Sequence, residues 1–514
     1  MRRAAKAGSP GSSQGAPAAS HPGSESAQQG TSLLPVITGI LGVMTVVQVF
    51  IFALRVYRTL TFPYQIDYGE GPILQIAMRV ARGEAMYPPV NQPPYAIASY
   101  EPLYYLLCAL GVKLMGPGFL LGRLVSFAST LAIAGCAGAI VWRETRHRFA
   151  TFLAAGLILA MPHVMVWSTL MRIDLLAIAL AVVGYCVFTR GHRLGGIPLF
   201  ALGVFTRRTN VAALGAAFVG DARHRGWRPA LRAFAAQVGL IALLMGGAAL
   251  VTRGAMVHQL ALHTASSLGK AWSWEQLWSL IWWPLRAYPA YFAITMLGAA
   301  WCAVRRERRP LFAFFAFACV IFLTGGRIGS AHNYLIEPMV VGAMMFGMLW
   351  ADLSRRGPGL PAAGLLALGG ALAIQMVWTD RNLEYSISLS QEEASGGASG
   401  RVTELIRATP GEVICQDTGL AALAGKPDAL MPFEFTQMAR RRALDPEPVF
   451  AKVRAGGYAL IVTRFDPFNA HEQELHRPGD DWKAGRWPDG IVQGLLSSYR
   501  LQEKAGPFFV FVPR

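Results

Sequence analysis

Two carboxylates, Asp67 and Glu70, stand in a short glycine-flanked segment directly after the first long apolar stretch of the chain. Acidic side chains are costly near the hydrocarbon of a membrane and usually mark a functional site there. A carboxylate in this position can accept the proton of an incoming hydroxyl group. We therefore predict that the segment 64–71 is an active-site loop, with Asp67 and Glu70 as its catalytic residues.

A second set of polar residues falls in loops that the apolar stretches place on the same side as the acidic loop. Guanidinium groups grip phosphate oxygens and neutralise charge on a departing phosphate. Acids and arginines together suit transfer from a lipid-linked phosphate, and we predict that Arg123, Arg207, Arg208 and Arg327 bind the donor phosphate. The predicted substrate contacts are Tyr100, Glu101, Arg172, Asp174, His332, Asn333 and Tyr334.

Several of these residues also have a structural interpretation. Asp67 is consistent with a solvated loop acid, and Glu70 with the first turn of a helix, where the helix dipole favours an acid. Arg123 is consistent with a side chain that snorkels to the outer headgroups. Arg172 and Asp174 are equally consistent with a structural ion pair. The sequence leaves these alternatives open.

The composition is that of a polytopic membrane protein. Of the 514 residues, 53% are hydrophobic and only 15% are charged, and long apolar runs recur over 33–378. The net charge of +17 comes largely from short arginine clusters between these runs, for example at 143–148, 223–232 and 305–309. This pattern follows the positive-inside rule, so the charge reports orientation in the membrane and does not indicate a nucleic-acid partner.

Placing every basic cluster inside predicts about eleven spans and an acidic loop on the outer face. The apolar run Pro102–Met115 has 14 residues, a rise of roughly 21 Å that falls short of the hydrocarbon core, so we predict a juxtamembrane or re-entrant helix. Two arginines, Arg207 and Arg208, interrupt the apolar segment 195–219. Because charges at the bilayer centre are costly, we predict a short helical hairpin with both arginines at its outward apex.

Three regions are predicted. Residues 1–32 are rich in Gly, Ser, Ala and Gln and are predicted to form a disordered cytoplasmic tail. Residues 33–380 are predicted to form the transmembrane catalytic domain, with an outer loop at 58–117. Residues 381–514 are predicted to form an extracytoplasmic α/β domain, with strands at Val413–Cys415, 458–462 and 508–512 and a helix at 491–499. We expect this domain to tune acceptor choice, because it carries no convincing catalytic set.

Three short segments resemble a known superfamily. They are Asp-Tyr-Gly-Glu-Gly at 67–71, Tyr-Glu-Pro-Leu at 100–103 and Thr-Arg-Arg-Thr at 206–209. In this order, with an arginine early in the next span, they resemble the GT-C glycosyltransferases. The chain is most similar, over about 33–378, to the group of protein O-mannosyltransferases and lipid A aminoarabinose transferases.

The resemblance implies a polyprenyl-phosphate sugar donor and an inverting single displacement on the extracytoplasmic face. It also implies that Asp67 is the catalytic carboxylate of the loop and that Glu70 is a second catalytic residue. Two positions depart from the family. Glu101 stands where the family has a proline, and no lysine is present there to bind phosphate. Arg207 stands where the family has a lysine, which keeps the positive charge.

We expect a multi-pass glycosyltransferase of a bacterial-type inner membrane, with a cytoplasmic N-terminus and an extracytoplasmic C-terminal domain. Its expected partners are a polyprenyl-phosphate-linked sugar, membrane lipids and a lipid, glycan or protein acceptor. The sequence requires no cofactor and shows no metal motif, but it is compatible with the use of a divalent cation. The alternatives are a lipid or polysaccharide transporter and an oligosaccharide-transferring ligase, which differ in chemistry and in donor size respectively.

Overall fold

The computed structural model describes residues 33–265, 272–327, 329–355, 360–379, 397–469 and 487–514. The predicted tail at 1–32 and the predicted domain boundary at 380/381 lie outside these residues. Before residue 380 the described α-helices are α1 (Leu33–Thr61), α2 (Glu70–Ala81), α3 (Pro102–Met115), α4 (Leu120–Thr145), α5 (Arg148–Ala160), α6 (Pro162–Trp167), α7 (Asp174–Thr189), α8 (Arg193–Thr206), α9 (Ala212–Arg225), α10 (Trp227–Val251), α11 (Ala255–Ala265), α12 (Trp274–Ala287), α13 (Pro289–Val304), α14 (Arg309–Phe322), α15 (Ile336–Ser354) and α16 (Leu360–Thr379).

Only some of these helices are long enough to span a membrane. Within the described residues, five helical stretches are long and apolar enough to cross a bilayer: Pro35–Thr61, Leu120–Thr145, Trp227–Val251, Arg306–Gly326 and His332–Ser354. A sixth span is counted if α12 and α13, bent by 106° at their junction, act as one. The polytopic helical architecture is thus confirmed, whereas the finer number of eleven spans, which includes shorter apolar helices, stays a prediction.

The interrupted segment 195–219 forms two helices, α8 and α9, as the arginines in its middle predict. Helix α8 ends at Thr206, because Arg207 adopts an extended conformation with φ −152° and ψ 110°. A short connection then leads to α9, which begins at Ala212. The backbone therefore carries both arginines outside the helices, where they reach polar partners rather than hydrocarbon.

The apolar segment 149–169 does not form one continuous helix. Helix α5 ends at Ala160, and Pro162 occupies the first turn of α6. Proline has no N–H and cannot continue the ladder of the preceding helix, although it is well tolerated at a helix start. The turn that carries Arg172 follows α6 and leads directly into α7.

Helix α15 is the centre of the bundle. Its residues from Ile336 to Ala351 are all buried, and it packs against α4, α5, α13 and α14. Helices α1 and α10 lie at the periphery, with exposed apolar side chains such as Val43 and Leu243. Such exposure on an apolar helix is what contact with lipid requires.

The C-terminal part contains the predicted mixed sheet. Its strands are β1 (Val413–Cys415), β2 (Leu460–Thr463), β3 (Tyr499–Ala505) and β4 (Phe508–Pro513), and its helices are α17 (Ala398–Ala408), α18 (Thr418–Leu423), α19 (Pro432–Arg440), α20 (Glu447–Arg454) and α21 (Asp489–Ser498). The strand order is β1-β2-β4-β3, with β1 parallel to β2 and the other pairs antiparallel. Strand β3 is absent from the sequence prediction, because most of its side chains are not buried and it lacks an apolar run.

Candidate active site

Glu70 and Arg123 form a buried pair that holds the acidic loop in place. The Glu70 carboxylate accepts hydrogen bonds from Arg123 Nε at 2.9 Å and Nη2 at 3.0 Å. It also accepts from the backbone N–H groups of Ile66 at 2.7 Å, Asp67 at 3.3 Å and Met171 at 2.8 Å. This one carboxylate therefore ties the loop to α4 and to the turn before α7.

The guanidinium of Arg123 is fully used within the protein. Its remaining N–H groups donate to the backbone carbonyls of Thr59, Phe62 and Tyr64, so all five donors have partners. Neither Arg123 nor Glu70 lines the cavity described below. Both residues therefore make buried contacts within the protein, and the donor-phosphate contact of Arg123 and the catalytic role of Glu70 stay predictions.

Asp67 has a different environment. Its Oδ2 atom accepts hydrogen bonds from Gly69 N–H at 2.8 Å and from Arg172 Nη1 at 2.7 Å. Its side chain remains 37% exposed, and within the described part of the chain its Oδ1 atom has no hydrogen-bond partner. Asp67 thus presents a fixed, accessible carboxylate with one oxygen available for a substrate.

Gly69 has a steric reason to be glycine. A Cβ atom at this position would lie 1.5 Å from Arg172 Nη1. The space that a side chain would fill is therefore occupied by the guanidinium that holds Asp67. This explains why the two acids are separated by a glycine.

A chain of alternating charges extends from Asp67 into the bundle. Arg172 Nε lies 3.7 Å from Asp174 Oδ2, and Asp174 Oδ1 lies 3.0 Å from Arg207 Nη1. Asp174 Oδ1 also accepts a hydrogen bond from Asn333 Nδ2 at 2.7 Å. Burial alone would lower the pKa of Arg172, but Asp67 and the other nearby groups outweigh it and raise this pKa. Arg172 is therefore a permanent cation beside Asp67.

Tyr334 continues this chain, because the guanidinium of Arg207 lies over its ring, 4.4 Å from the centroid. This contact is a cation–π interaction. The two interpretations of Arg172 and Asp174 are hence not exclusive, since the pair is at once structural and part of a polar wall.

Glu101, which departs from the family pattern, pairs with the apex of the α8–α9 hairpin. Its Oε1 atom lies 3.2 Å from Arg208 Nη1, and its Oε2 atom accepts a hydrogen bond from Arg208 N–H at 3.1 Å. The Glu101 side chain is completely buried. Burial raises its pKa, and Arg208 opposes that shift. The extra acid thus fixes the position of the second hairpin arginine.

These groups surround one cavity of about 170 Å³. Its walls come from the loops before α2 and α3, the turn before α7, the hairpin apex, Arg327, residues 329–331, residues 333–334 and α19. Predicted site residues that line it are Tyr100, Glu101, Arg172, Asp174, Arg207, Arg208, Arg327, Asn333 and Tyr334. Asp67 itself does not line this cavity, whereas its neighbours Tyr68 and Gly69 and its partner Arg172 do.

His332 is the predicted substrate contact that does not line the cavity. Its ring stacks on His163, with the centroids 5.3 Å apart and the planes at 7°, and it also contacts Trp283. In the residues that the structure describes, no group of three or more His, Cys, Asp or Glu side chains is placed to hold a metal ion. The use of a divalent cation therefore stays an open prediction.

The C-terminal part contributes a wall that sequence motifs did not reveal. Phe433, Glu434, Gln437, Met438 and Arg441 line the cavity. These residues belong to α19 or directly follow it, and no spacing in the sequence marks them. The helical period of the polar residues in α19 carries no information about which surface of the protein this helix faces.

Tyr68 joins α19 to the acidic loop. Its hydroxyl donates a hydrogen bond to Glu434 Oε2 at 2.7 Å and accepts one from Phe433 N–H at 3.2 Å. Two further contacts dock the start of α18, from Gly419 N–H to Gln65 Oε1 at 2.8 Å and from Gln75 Nε2 to the Thr418 carbonyl at 3.0 Å. The C-terminal part and the acidic loop therefore form one continuous wall.

No protein-family model and no curated protein matches the sequence. Two solved structures of ArnT from Cupriavidus metallidurans are similar over 91% of this chain and 97% of theirs. The structure bound to undecaprenyl phosphate has a TM-score of 0.62 at 12% identity. The apo structure has a TM-score of 0.57 at 14% identity. The chain therefore has the fold of these ArnT structures, and the resemblance predicted from the sequence is confirmed at the level of the fold.

Proposed function

We propose that this protein is a membrane glycosyltransferase that moves a sugar from a polyprenyl-phosphate donor to an acceptor hydroxyl on the extracytoplasmic face. The observation that carries the proposal is the position of Asp67. Its carboxylate keeps one oxygen accessible and is held by Arg172, which lines a cavity rich in arginine. A base beside cations suits attack on a sugar that leaves as a lipid phosphate.

In the proposed reaction, the Asp67 carboxylate takes the proton of the acceptor hydroxyl as its oxygen attacks the anomeric carbon of the sugar. The bond between that carbon and the phosphate oxygen breaks, and polyprenyl phosphate leaves with the bonding electron pair. A single displacement of this kind inverts the anomeric configuration. The positive charge of the cavity stabilises the negative charge that develops on the leaving phosphate.

The lipid phosphate is a good leaving group, so the step needs no separate general acid. Among the arginines predicted to bind phosphate, Arg327 is the proposed phosphate contact. Its guanidinium has no hydrogen-bond partner among the described residues. Arg207 and Arg208 are paired with Asp174 and Glu101, and their proposed role is to shape the cavity while contributing charge. Tyr100, Asn333 and Tyr334 are proposed to contact the sugar or the acceptor.

The proposed orientation rests on where the basic residues gather. Arg143, Arg193, Arg225 and Arg308 surround a second cavity. Helix α4 carries Arg123 near its start and Arg143 near its end, and its 26 residues span about 39 Å. The two cavities therefore lie at opposite ends of the bundle. The positive-inside rule then favours a cytoplasmic second cavity and an extracytoplasmic active site.

The test uses the full chain in proteoliposomes with a polyprenyl-phosphate-linked sugar extract. We expect the protein to release polyprenyl phosphate, detected by mass spectrometry, and we expect Asp67→Asn and Asp67→Ala to abolish the release while donor binding persists. Glu84→Gln, at the exposed pair with Arg82, is the control. Full activity in both Asp67 variants would sink the proposal, and movement of the lipid without release would favour a transporter.

A further inference from the structure

Five guanidinium groups line the cavity, and three of them are neutralised by acids. Arg172 pairs with Asp67, Arg207 with Asp174, and Arg208 with Glu101. The remaining two cavity arginines are Arg327, from the segment before α15, and Arg441, directly after α19. For neither guanidinium do the described residues provide a hydrogen bond or an ion pair.

Arg441 lies on the face of α19 that lines the cavity. Glu434, Gln437, Met438 and Arg441 line it, which is the spacing i, i+3, i+4 and i+7 of a single helix face. Its sequence neighbours Arg440 and Arg442 are exposed and are not part of the cavity wall. Three consecutive arginines therefore differ in where they point, and only the first and third face solvent.

The segment that carries Arg327 packs against the start of α19. Gly329 has φ +85°, and a Cβ atom there would lie 2.9 Å from Phe433 Cζ. The close approach of this backbone to α19 joins the two parts of the wall from which Arg327 and Arg441 come. Both cations therefore belong to one continuous surface of the cavity.

A partly buried cation without an anionic partner favours an anionic ligand. Burial lowers the pKa of Arg441, which means that its charged form loses hydration that no carboxylate of the described residues replaces. Two guanidinium groups facing one cavity match the oxygens of a phosphate better than those of a neutral sugar.

We propose that Arg441, together with Arg327, binds the phosphate group of a lipid substrate, so that the C-terminal part completes the anion site. The chemical class is a lipid phosphate, which a polyprenyl-phosphate donor and a phosphorylated lipid acceptor share. The choice between these two lipids rests on the proposed function. The site itself rests on the charge balance of the cavity.

The experiment measures lipid binding to the full chain in detergent by native mass spectrometry. The donor arm compares undecaprenyl phosphate with undecaprenol, which lacks the phosphate. The second arm compares phosphatidic acid with the matching diacylglycerol. In each arm the ratio of the two affinities, the phosphate advantage, is measured for the wild type, Arg441→Gln, Arg441→Lys and the control Arg440→Gln.

We expect a phosphate advantage in the wild type and in Arg440→Gln that falls about tenfold or more in Arg441→Gln, the scale of one charge-assisted hydrogen bond. Arg441→Lys should restore part of it. Loss confined to the donor arm assigns the site to the donor, and loss confined to the second arm assigns it to a phosphorylated acceptor. An unchanged phosphate advantage in Arg441→Gln, or none in the wild type, overturns the proposal. A wild type that binds undecaprenyl phosphate selectively but transfers no sugar would refute the proposed function and leave this site standing.

Discussion

Asp67 Oδ2 and Arg172 Nη1 lie 2.7 Å apart, although 105 residues separate them along the chain. The contact is possible because Gly69 leaves room for the guanidinium of Arg172. A base that is held from one side presents its other oxygen in a fixed direction. Orientation of this kind is worth orders of magnitude in rate.

Arg172→Gln should lower kcat for sugar transfer by about 10²-fold, because the carboxylate of Asp67 loses its fixed orientation. Affinity for the lipid donor should change little. In a double-mutant cycle with Asp67→Asn, the two effects should be strongly non-additive, since both variants disable the same base. Steady-state release of polyprenyl phosphate provides the measurement. Additive losses would indicate that Arg172 acts separately from Asp67.

Glu70→Gln should destabilise the folded protein by about 3–5 kcal/mol, because it leaves the buried Arg123 guanidinium without its counter-charge. Thermal unfolding of the full chain in detergent provides the measurement. Glu84→Gln removes one partner of a much more exposed pair and should cost less than about 1 kcal/mol. A Glu70→Gln protein with wild-type stability and no turnover would instead make Glu70 a catalytic acid.

Gly71→Ala should disturb the contact between the acidic loop and α18. A Cβ atom there would lie 2.4 Å from Gln65 Oε1 and 2.6 Å from Gly419 N, so one of the two segments must move, at about 1–3 kcal/mol. We expect a higher KM for the acceptor with donor turnover largely kept, since the cavity wall shifts while Asp67 remains. Gly135→Ala, with nothing within 4 Å of the new Cβ atom, is the control. Unchanged acceptor kinetics would contradict this role of the C-terminal part.

Asp428→Asn should reduce the pH dependence of stability. Burial raises the pKa of Asp428 well above its ordinary value, although backbone N–H groups that include that of Cys415 oppose the shift. The folded state therefore binds the proton more tightly than the unfolded state, so the wild type loses stability as the pH rises through the raised pKa. Thermal unfolding between about pH 4 and pH 8 should show this fall in the wild type and a flatter curve in the variant. Asp445→Asn, at an exposed position, should keep the wild-type slope.

Features of the fold that depend on local composition could be predicted from the sequence. Apolar runs between arginine clusters predict a polytopic helical bundle, because backbone and side chains must both satisfy the membrane. Two charges in the middle of 195–219 predict the α8–α9 hairpin. Short apolar runs in the C-terminal part predict β1, β2 and β4, since buried strands select such residues. The acidic loop stands out for the same reason, because a charge beside hydrocarbon needs a function or a partner.

Which charged side chains form ion pairs depends on the tertiary structure. By residue type alone, either acid of the loop could pair with Arg123 or with Arg172. In the structure Glu70 pairs with the buried Arg123, and Asp67 pairs with the partly exposed Arg172. The pairing follows from the packing of α2 against α4 and the turn before α7, to which no local pattern refers. The place of Arg441 in the cavity wall also depends on how the C-terminal part packs against the acidic loop. Charge and spacing in sequence carry no information on that docking, because contacts between distant segments are fixed by the shape of both surfaces.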